Sequence, residues 1–310
     1  MFGTGGSALV AKTLGEGDSE RANRYFTMII IATLVTGVVI SILGITFMRP
    51  IAVWLGADET MIESSVLYGR IVIGFNTAFM LQNVFQSFLV AAEKPKLGLA
   101  STVAAGVTNM VLDALFIAVF DWGVAGAAIA TGLSECVGGL FPLIYFLCPN
   151  SSLLRLRKAS IEPRAVLAAC WNGASELVSS VTSSVVGMLY NFQLLRYAGE
   201  NGVAAYGVLM YLDFAFVAIF IGYAVGCAPL VSYNYGAPNH AELKNLLRKS
   251  IRLTGTAGIC MVGLAQLIAP MLVRIFVGYD AELSAMSVHA LRIFSIAYLI
   301  VGFNIFSSSF

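Results

Sequence analysis

The chain is cut into apolar runs long enough to cross a bilayer, and this limits its fold more than any other feature. The runs cover residues 25–48, 61–89, 97–120, 123–148, 164–195, 203–235, 251–277 and 284–310. A spanning helix needs about 20 residues. Backbone groups in hydrocarbon must be paired within their own element, so such runs fold as helices. Across the 310 residues, 58% are hydrophobic and 11% charged, where soluble domains carry about 25% charged residues. The expected fold class is an all-α polytopic membrane protein with eight full spans. Residues 1–14 are apolar but too short to cross, and read as the end of a helix whose start is missing. Residues 49–59 read as a loop opened by Pro50, and 149–163 as a linker between two bundles.

Charge sets the orientation. With the polar link after residue 15 placed inside the cell and the spans alternating, inside segments collect most of the 18 lysines and arginines. Outside segments receive only Arg49, Arg196 and Arg274, and Arg70 and Arg292 fall a turn or two inside helices. This is the asymmetry of the positive-inside rule. A net charge of +1 with scattered basic residues gives no nucleic-acid footprint. The five cysteines form no close pair and no Cys/His ligand cluster, so they read as small apolar packing residues. Gly3, Gly5 and Gly6 near Lys12 lack the ending of a phosphate loop. No nucleophile–base pair points to an enzyme.

The chemistry concentrates in the hairpin 97–148. Asn109 and Asp113 lie one helical turn apart on one face, as do Thr131 and Glu135 on the next helix. Counting back from the turn Asp121-Trp122-Gly123 puts Asp113 and Thr131 at one depth. A carboxylate there costs about 2.5–3.5 kcal/mol on insertion scales, so it should face protein or a water-filled cavity. Two readings stand: a site for a small cation or proton, or an acid that hydrogen-bonds its neighbours.

Other polar residues sit in apolar runs. Asn76, Gln82, Asn83 and Gln86 give 61–89 a face that should line a cavity or another helix. Glu176 and Asn172 share a face of 164–195, and antiparallel pairing places Glu176 and Asp213 both near mid-membrane. Tyr211 and Phe214 flank Asp213, which reads as an acid for an organic cation or as a neutral structural acid. Glu135 reads either as an interhelical hydrogen-bonding group or as a substrate contact. Arg70 and Arg292 read as snorkelling or as closing equivalent salt bridges. The spacing of Gly222 and Gly226 suggests close helix packing. His240 and His289 read as loop or helix-end residues.

The chain also repeats itself at an offset of about 221 residues. Leu9-Val-Ala-Lys-Thr-Leu-Gly15 aligns with Leu230-Val-Ser-Tyr-Asn-Tyr-Gly236, Pro50 with Pro270, Asp58 with Asp280, Arg70 with Arg292, and Gln82 with Asn304. An even number of helices separates the copies, so the repeat is parallel. The expected organisation is an N-terminal lobe at 1–148, a cytoplasmic linker at 149–163 and a C-terminal lobe at 164–310. The first lobe lacks helix 1 and part of helix 2, and the second lacks its last two helices.

Four stretches carry a family resemblance: Gly5-x-Ser-Ala-Leu-Val-Ala-Lys-x-Leu-Gly-Glu-Gly-Asp18, Asn109-x-Val-Leu-Asp113, Gly123-Val-Ala-Gly-Ala-Ala-Ile-Ala-Thr131 and Leu230-Val-Ser-Tyr-Asn-Tyr-Gly-Ala237. Together the chain resembles the multidrug and toxic compound extrusion (MATE) family, in its bacterial branch. The resemblance implies two six-helix lobes around a V-shaped cavity. It also implies a multi-pass protein of the bacterial plasma membrane, monomeric, that exports cationic amphipathic compounds against inward sodium or protons with no other cofactor. Asn109 and Asp113 match the polar pair of the family's N-lobe cation site, with Thr131 as partner. Asp113 is then the coupling carboxylate. Tyr68 matches a cavity tyrosine, and Gln82, Asn83, Glu135, Asp213 and Asn304 join it as cavity candidates. Glu176 resembles the acid some branches use in the C-lobe. The acid those branches carry in the tenth helix is not evident in 284–310. Two rivals stand beside this: a flippase for lipid-linked saccharides, which would want a basic cavity, and a truncated membrane protein that transports nothing.

Overall fold

The computed structural model describes residues 1–54, 61–157 and 162–310. Asp58 of the repeat and Lys158 of the basic linker lie outside the described residues. Apart from short turns and residues 148–157 the described chain is helical, in two compact units, Met1–Gly173 and Ala174–Phe310. The first holds α1 (Phe2–Gly15), α2 (Ser19–Trp54), α3 (Ile62–Gly74), α4 (Asn76–Ala91), α5 (Pro95–Asp113), α6 (Gly123–Leu147) and α7 (Pro163–Asn172). The second holds α8 (Ala174–Gly236), α9 (His240–Val277), α10 (Ala281–Phe294) and α11 (Tyr298–Ser309).

Among the described residues six helices are long and apolar enough to cross a membrane, and the bent pair α3–α4 makes a seventh. The eighth expected run, 164–195, folds as α7 and the first limb of α8, which are less apolar than these helices and are separated at Gly173. Helix α7 ends at Asn172 before a break at Gly173. There, a Cβ on Gly173 would sit 2.3 Å from the Met1 carbonyl, and one on Gly5 would meet the Ala169 carbonyl, so α7 packs on α1 in the first unit. What remains of that run, 174–198, is rich in serine. A second break at Gly199 (φ 65°, ψ −158°) divides α8 and starts the spanning limb Asn201–Gly236. Only glycine adopts that conformation without cost.

Pro50 does not open a loop. Helix α2 continues through it to Trp54, and Pro142, Pro229 and Pro270 likewise lie inside helices. In lipid a helix has no water to take over its backbone groups, so it tolerates a proline rather than ending there.

The first unit is built on an aromatic core. Phe26 and Phe88 meet edge to face at 4.9 Å, Phe26 and Phe146 do the same, and Phe85 stacks on Phe146 at 5.7 Å. The expected linker is mostly strapped to this unit. Leu154 is buried in the core, the Arg155 and Arg157 amides donate to Asn23 Oδ1 and Thr27 Oγ1, and the Glu162 amide reaches Met28 sulfur. The second unit packs Leu209, Leu212, Val273 and Leu291 in one cluster and Phe220, Met261, Ala265 and Tyr298 in another. Elsewhere large apolar side chains such as Val35, Leu43, Val103, Val107, Leu264 and Ile275 are exposed. So much exposed apolar surface is incompatible with water and suits lipid.

The repeat persists in the backbone. The bent helix pair of each unit is broken at one offset: α3 and α4 meet at Phe75 with a 47° bend, and α10 and α11 meet through a tight turn at Ser295–Ala297. Each break lies over a glycine of the preceding helix. A Cβ on Gly37 would be 3.0 Å from Thr77, and one on Gly258 would be 2.8 Å from the Tyr298 carbonyl. By contrast, Gly222 and Gly226 have no neighbour within 4 Å, so close packing does not explain their spacing.

Candidate functional site

Helices α5 and α6 form the expected antiparallel hairpin, and their contacts fix its register. Ser101 Oγ donates to the Gly138 carbonyl at 3.1 Å, and a Cβ on Gly126 would touch Phe116. Thr131 is therefore level with Asn109, and Asp113 lies about one turn, roughly 5 Å, nearer the turn that joins the hairpin. The expectation that Asp113 and Thr131 share a depth fails by that turn. The reason lies just after Asp113. Residues Ala114–Val119 are wound as a π-helix, and the Phe120 amide reaches back to the Leu115 carbonyl at 3.0 Å. Wider turns use more residues over a given height, so counting at α-helical rise misplaces what precedes them. Single π-turns inside α-helices recur at functional sites.

Asp113 is thus the last α-helical residue before a change of winding. Its carboxylate is half-buried, and Oδ1 is sealed from solvent without a hydrogen-bond partner. Glu135, one turn beyond Thr131, has the same property at Oε2. Among the described residues neither acid has a basic partner. Buried polar atoms are nearly always paired, so these two carboxylate oxygens are suited to a cation or a proton.

Around them α6 is lined by small residues that admit α4. A Cβ on Gly132 would fall on the Phe75 ring, and one on Gly138 would lie 2.5 Å from the Gln82 carboxamide. Gln82 therefore covers α6, and Gln86 Nε2 donates to Thr102 Oγ1 of α5 at 3.3 Å. This polar face meets helices, one of the two expected outcomes. Asn83 points away, exposed, with its amide bonded to the Phe79 carbonyl. Tyr68 on α3 is exposed as well.

In the second unit the expected partners do not converge. Glu176 is exposed in the first turn of α8, and the break at Gly173 separates it from Asn172. Tyr190 stacks on Tyr206 at 5.6 Å. That register places Asp213 between one and two turns away from the level of Glu176. Tyr211 and Phe214 are each 73% exposed and turn away from Asp213. The aromatic groups within electrostatic reach of its carboxylate are instead Tyr206 of its own helix and Tyr298 of α11. Tyr298 is fully buried, and neither its hydroxyl nor Asp213 Oδ1 completes a hydrogen bond. A tyrosine in an apolar run gives no sequence signal, although the repeat sets it opposite Asn76, the first residue of α4. Asn304, further along α11, is exposed. Among the described residues no group of three or more His, Cys, Asp or Glu is placed to hold a metal ion.

Comparison with known proteins bears on this arrangement. The MatE family model matches residues 1–115 and 177–310. The chain belongs to the MatE family. It is a multi-pass membrane protein whose relatives are bacterial exporters. The multidrug export protein MepA of Staphylococcus saprophyticus is 26% identical over 305 residues, which is 97% of this MatE chain and 66% of that protein. MepA of Staphylococcus aureus NCTC 8325 is 24% identical over 304 residues, with the same coverage. The chain thus spans just under two thirds of the length of these relatives. Among solved structures, an outward-facing multidrug resistance MATE family transporter of the MOP superfamily superposes with a TM-score of 0.93 at 22% identity. That match covers 99% of this MatE chain and 69% of the other. A MOP superfamily transporter from Pyrococcus furiosus, described as having a binding pocket of reverse polarity, superposes with a TM-score of 0.88 at 22% identity, covering 99% and 72%.

Proposed function

We propose that this MatE chain forms most of a secondary active antiporter that exports cationic, amphipathic drugs in exchange for inward sodium or protons. Asp113 is its coupling carboxylate. The observation that carries this reading is the buried, unpartnered Asp113 oxygen at the α-to-π junction of a spanning helix. Such a group is costly in hydrocarbon unless it meets a cation or takes up a proton. Asn109 and Thr131, level with each other one turn deeper, supply neutral oxygen ligands. Glu135 and Asp213 add negative potential for a cationic drug. The acid-rich spans and the names of the MepA relatives favour this over a flippase, whose anionic cargo would want a basic cavity. No covalent chemistry and no cofactor beyond the coupling ion is needed, so the protein acts as a carrier and not an enzyme, working as a monomer of two lobes.

The cycle follows from linkage. Open outward, the site takes sodium or a proton, which neutralises Asp113 and weakens its hold on a cationic drug. Open inward, it releases the ion, and the restored charge draws the next drug. The coupling is reciprocal by thermodynamic necessity. The test is drug transport by the complete gene product in proteoliposomes under imposed sodium or proton gradients. Asp113→Asn, which keeps size and part of the hydrogen bonding, should lower gradient-driven export by about 10–100-fold. An unchanged rate and ion dependence would assign Asp113 a structural role.

A further inference from the structure

The second unit carries a groove of about 550 Å³ between α9 and α10, at the end of α9 remote from Lys244, Arg248 and Arg252. Arg274, His289 and Arg292 line it, with Ser284. His289 is not at a helix end, as its sequence context suggested, but well inside α10. All three basic residues are exposed, and among the described residues none has a carboxylate partner. Of the nearest acids by sequence, Asp280 is occupied as the N-cap of α10, accepting the Glu282 and Leu283 amides at 2.9 and 3.0 Å, and Glu282 lies exposed in the first turn of α10 without an ion pair to these residues among the described residues. Arg292 closes no salt bridge, and only its backbone carbonyl is engaged, by Gln266 Nε2 at 2.7 Å.

From these observations we infer that the groove holds the headgroup of an anionic phospholipid from the outer leaflet. Side chains tilt toward the N-terminus of their helix. Helix α10 begins at the outer end, so His289 and Arg292 lean outward along the groove. Helix α9 runs the other way, so Arg274 leans inward to meet them. The positive charges converge on one volume in a segment that spans the membrane, near the start of α10 whose dipole also favours an anion. Pro270, Gly278 and Ala285 keep the wall small. Met271 and Ile275 beside Arg274, and Ile293 beside Arg292, are more than half exposed, so the groove opens onto acyl chains and not onto water. A phosphodiester joined to glycerol and acyl chains satisfies both the charge and the apolar surround. The volume is that of an ordinary small-molecule site. The inference rests on membrane embedding and not on the transport cycle.

The test is native mass spectrometry of the purified chain offered phosphatidylglycerol and phosphatidylcholine in equal amounts. The expected result is retention of phosphatidylglycerol about tenfold over phosphatidylcholine, lost in the Arg274→Gln, Arg292→Gln double variant and kept in Arg274→Lys, Arg292→Lys. Circular dichroism and gel filtration confirm that each variant is folded. If the glutamine variant does not fold, Ala285→Trp fills the groove without touching a charge and should lower retention to the same extent. Equal retention of the two lipids by the wild type would overturn the inference. So would an unchanged preference in the folded variants, or displacement of the lipid by inorganic phosphate as effectively as by phosphatidylglycerol.

Discussion

A buried carboxylate oxygen without a donor has two ways to lose its penalty: it binds a cation, or it binds a proton. Asp113, Glu135 and Asp213 each keep such an oxygen inside a spanning helix, and each stands out in the sequence as a charge within an apolar run. Their surroundings do not stand out, because partners come from other helices. Thr131 belongs with Asn109 through a register that counting residues misses, and Tyr298 belongs with Asp213 through a contact no motif announces. Thr131→Ala removes one neutral ligand, worth about 1 kcal/mol. It should lower export by roughly fivefold, well short of Asp113→Asn, in the same proteoliposome assay. Tyr298→Phe deletes a buried hydroxyl that completes no hydrogen bond, so the thermal midpoint in detergent should hold or rise. Removing one partner of a satisfied buried pair would instead cost about 1–3 kcal/mol. Asp213→Asn should change which drugs are exported more than it changes ion dependence, read as a shift in the ranking of inhibitory drug concentrations.

At the scale of the element, the spans were legible because 20 apolar residues admit few alternatives, and their ends were less so. Pro50 looked like a stop signal, which holds in water, where a freed carbonyl finds solvent. The helix ignores it in a setting without solvent. The run 164–195 reads as one continuous helix, but Gly173 breaks it, and its first part, α7, docks on α1. The π-turn after Asp113 left no trace in residue types. Glycine contacts give a direct test of these helix pairings. Gly132→Ala drives a methyl into the Phe75 ring and should cost about 1–3 kcal/mol. Gly106 on α5 has open space around it. There Gly106→Ala should be neutral or stabilising by up to about 1 kcal/mol, from helix propensity alone. Thermal unfolding of the two variants in detergent separates contact from propensity. Equal effects would mean that α4 and α6 do not approach as described.

For the whole molecule, orientation follows from where basic residues fall, and it is open to a labelling experiment. With the five native cysteines replaced, a cysteine at Tyr279 or Asp121 should react with an impermeant thiol reagent added outside intact cells. One at Arg157 or Asn239 should not. Strong reaction at Arg157 with none at Tyr279 would invert the topology. The internal repeat was legible from a handful of aligned residues, yet its firmest expression lies elsewhere. Each unit breaks its bent helix pair over a glycine of the preceding helix, at Gly37 and at Gly258. The residues that occupy the two breaks differ, with Asn76 and Thr77 in one and Tyr298 and Leu299 in the other. If both units descend from one duplicated ancestor, inheritance has preserved the clearance between two backbones while the side chains that use it diverged. The two copies were then free to take up different tasks without redesigning the hinge they share by descent.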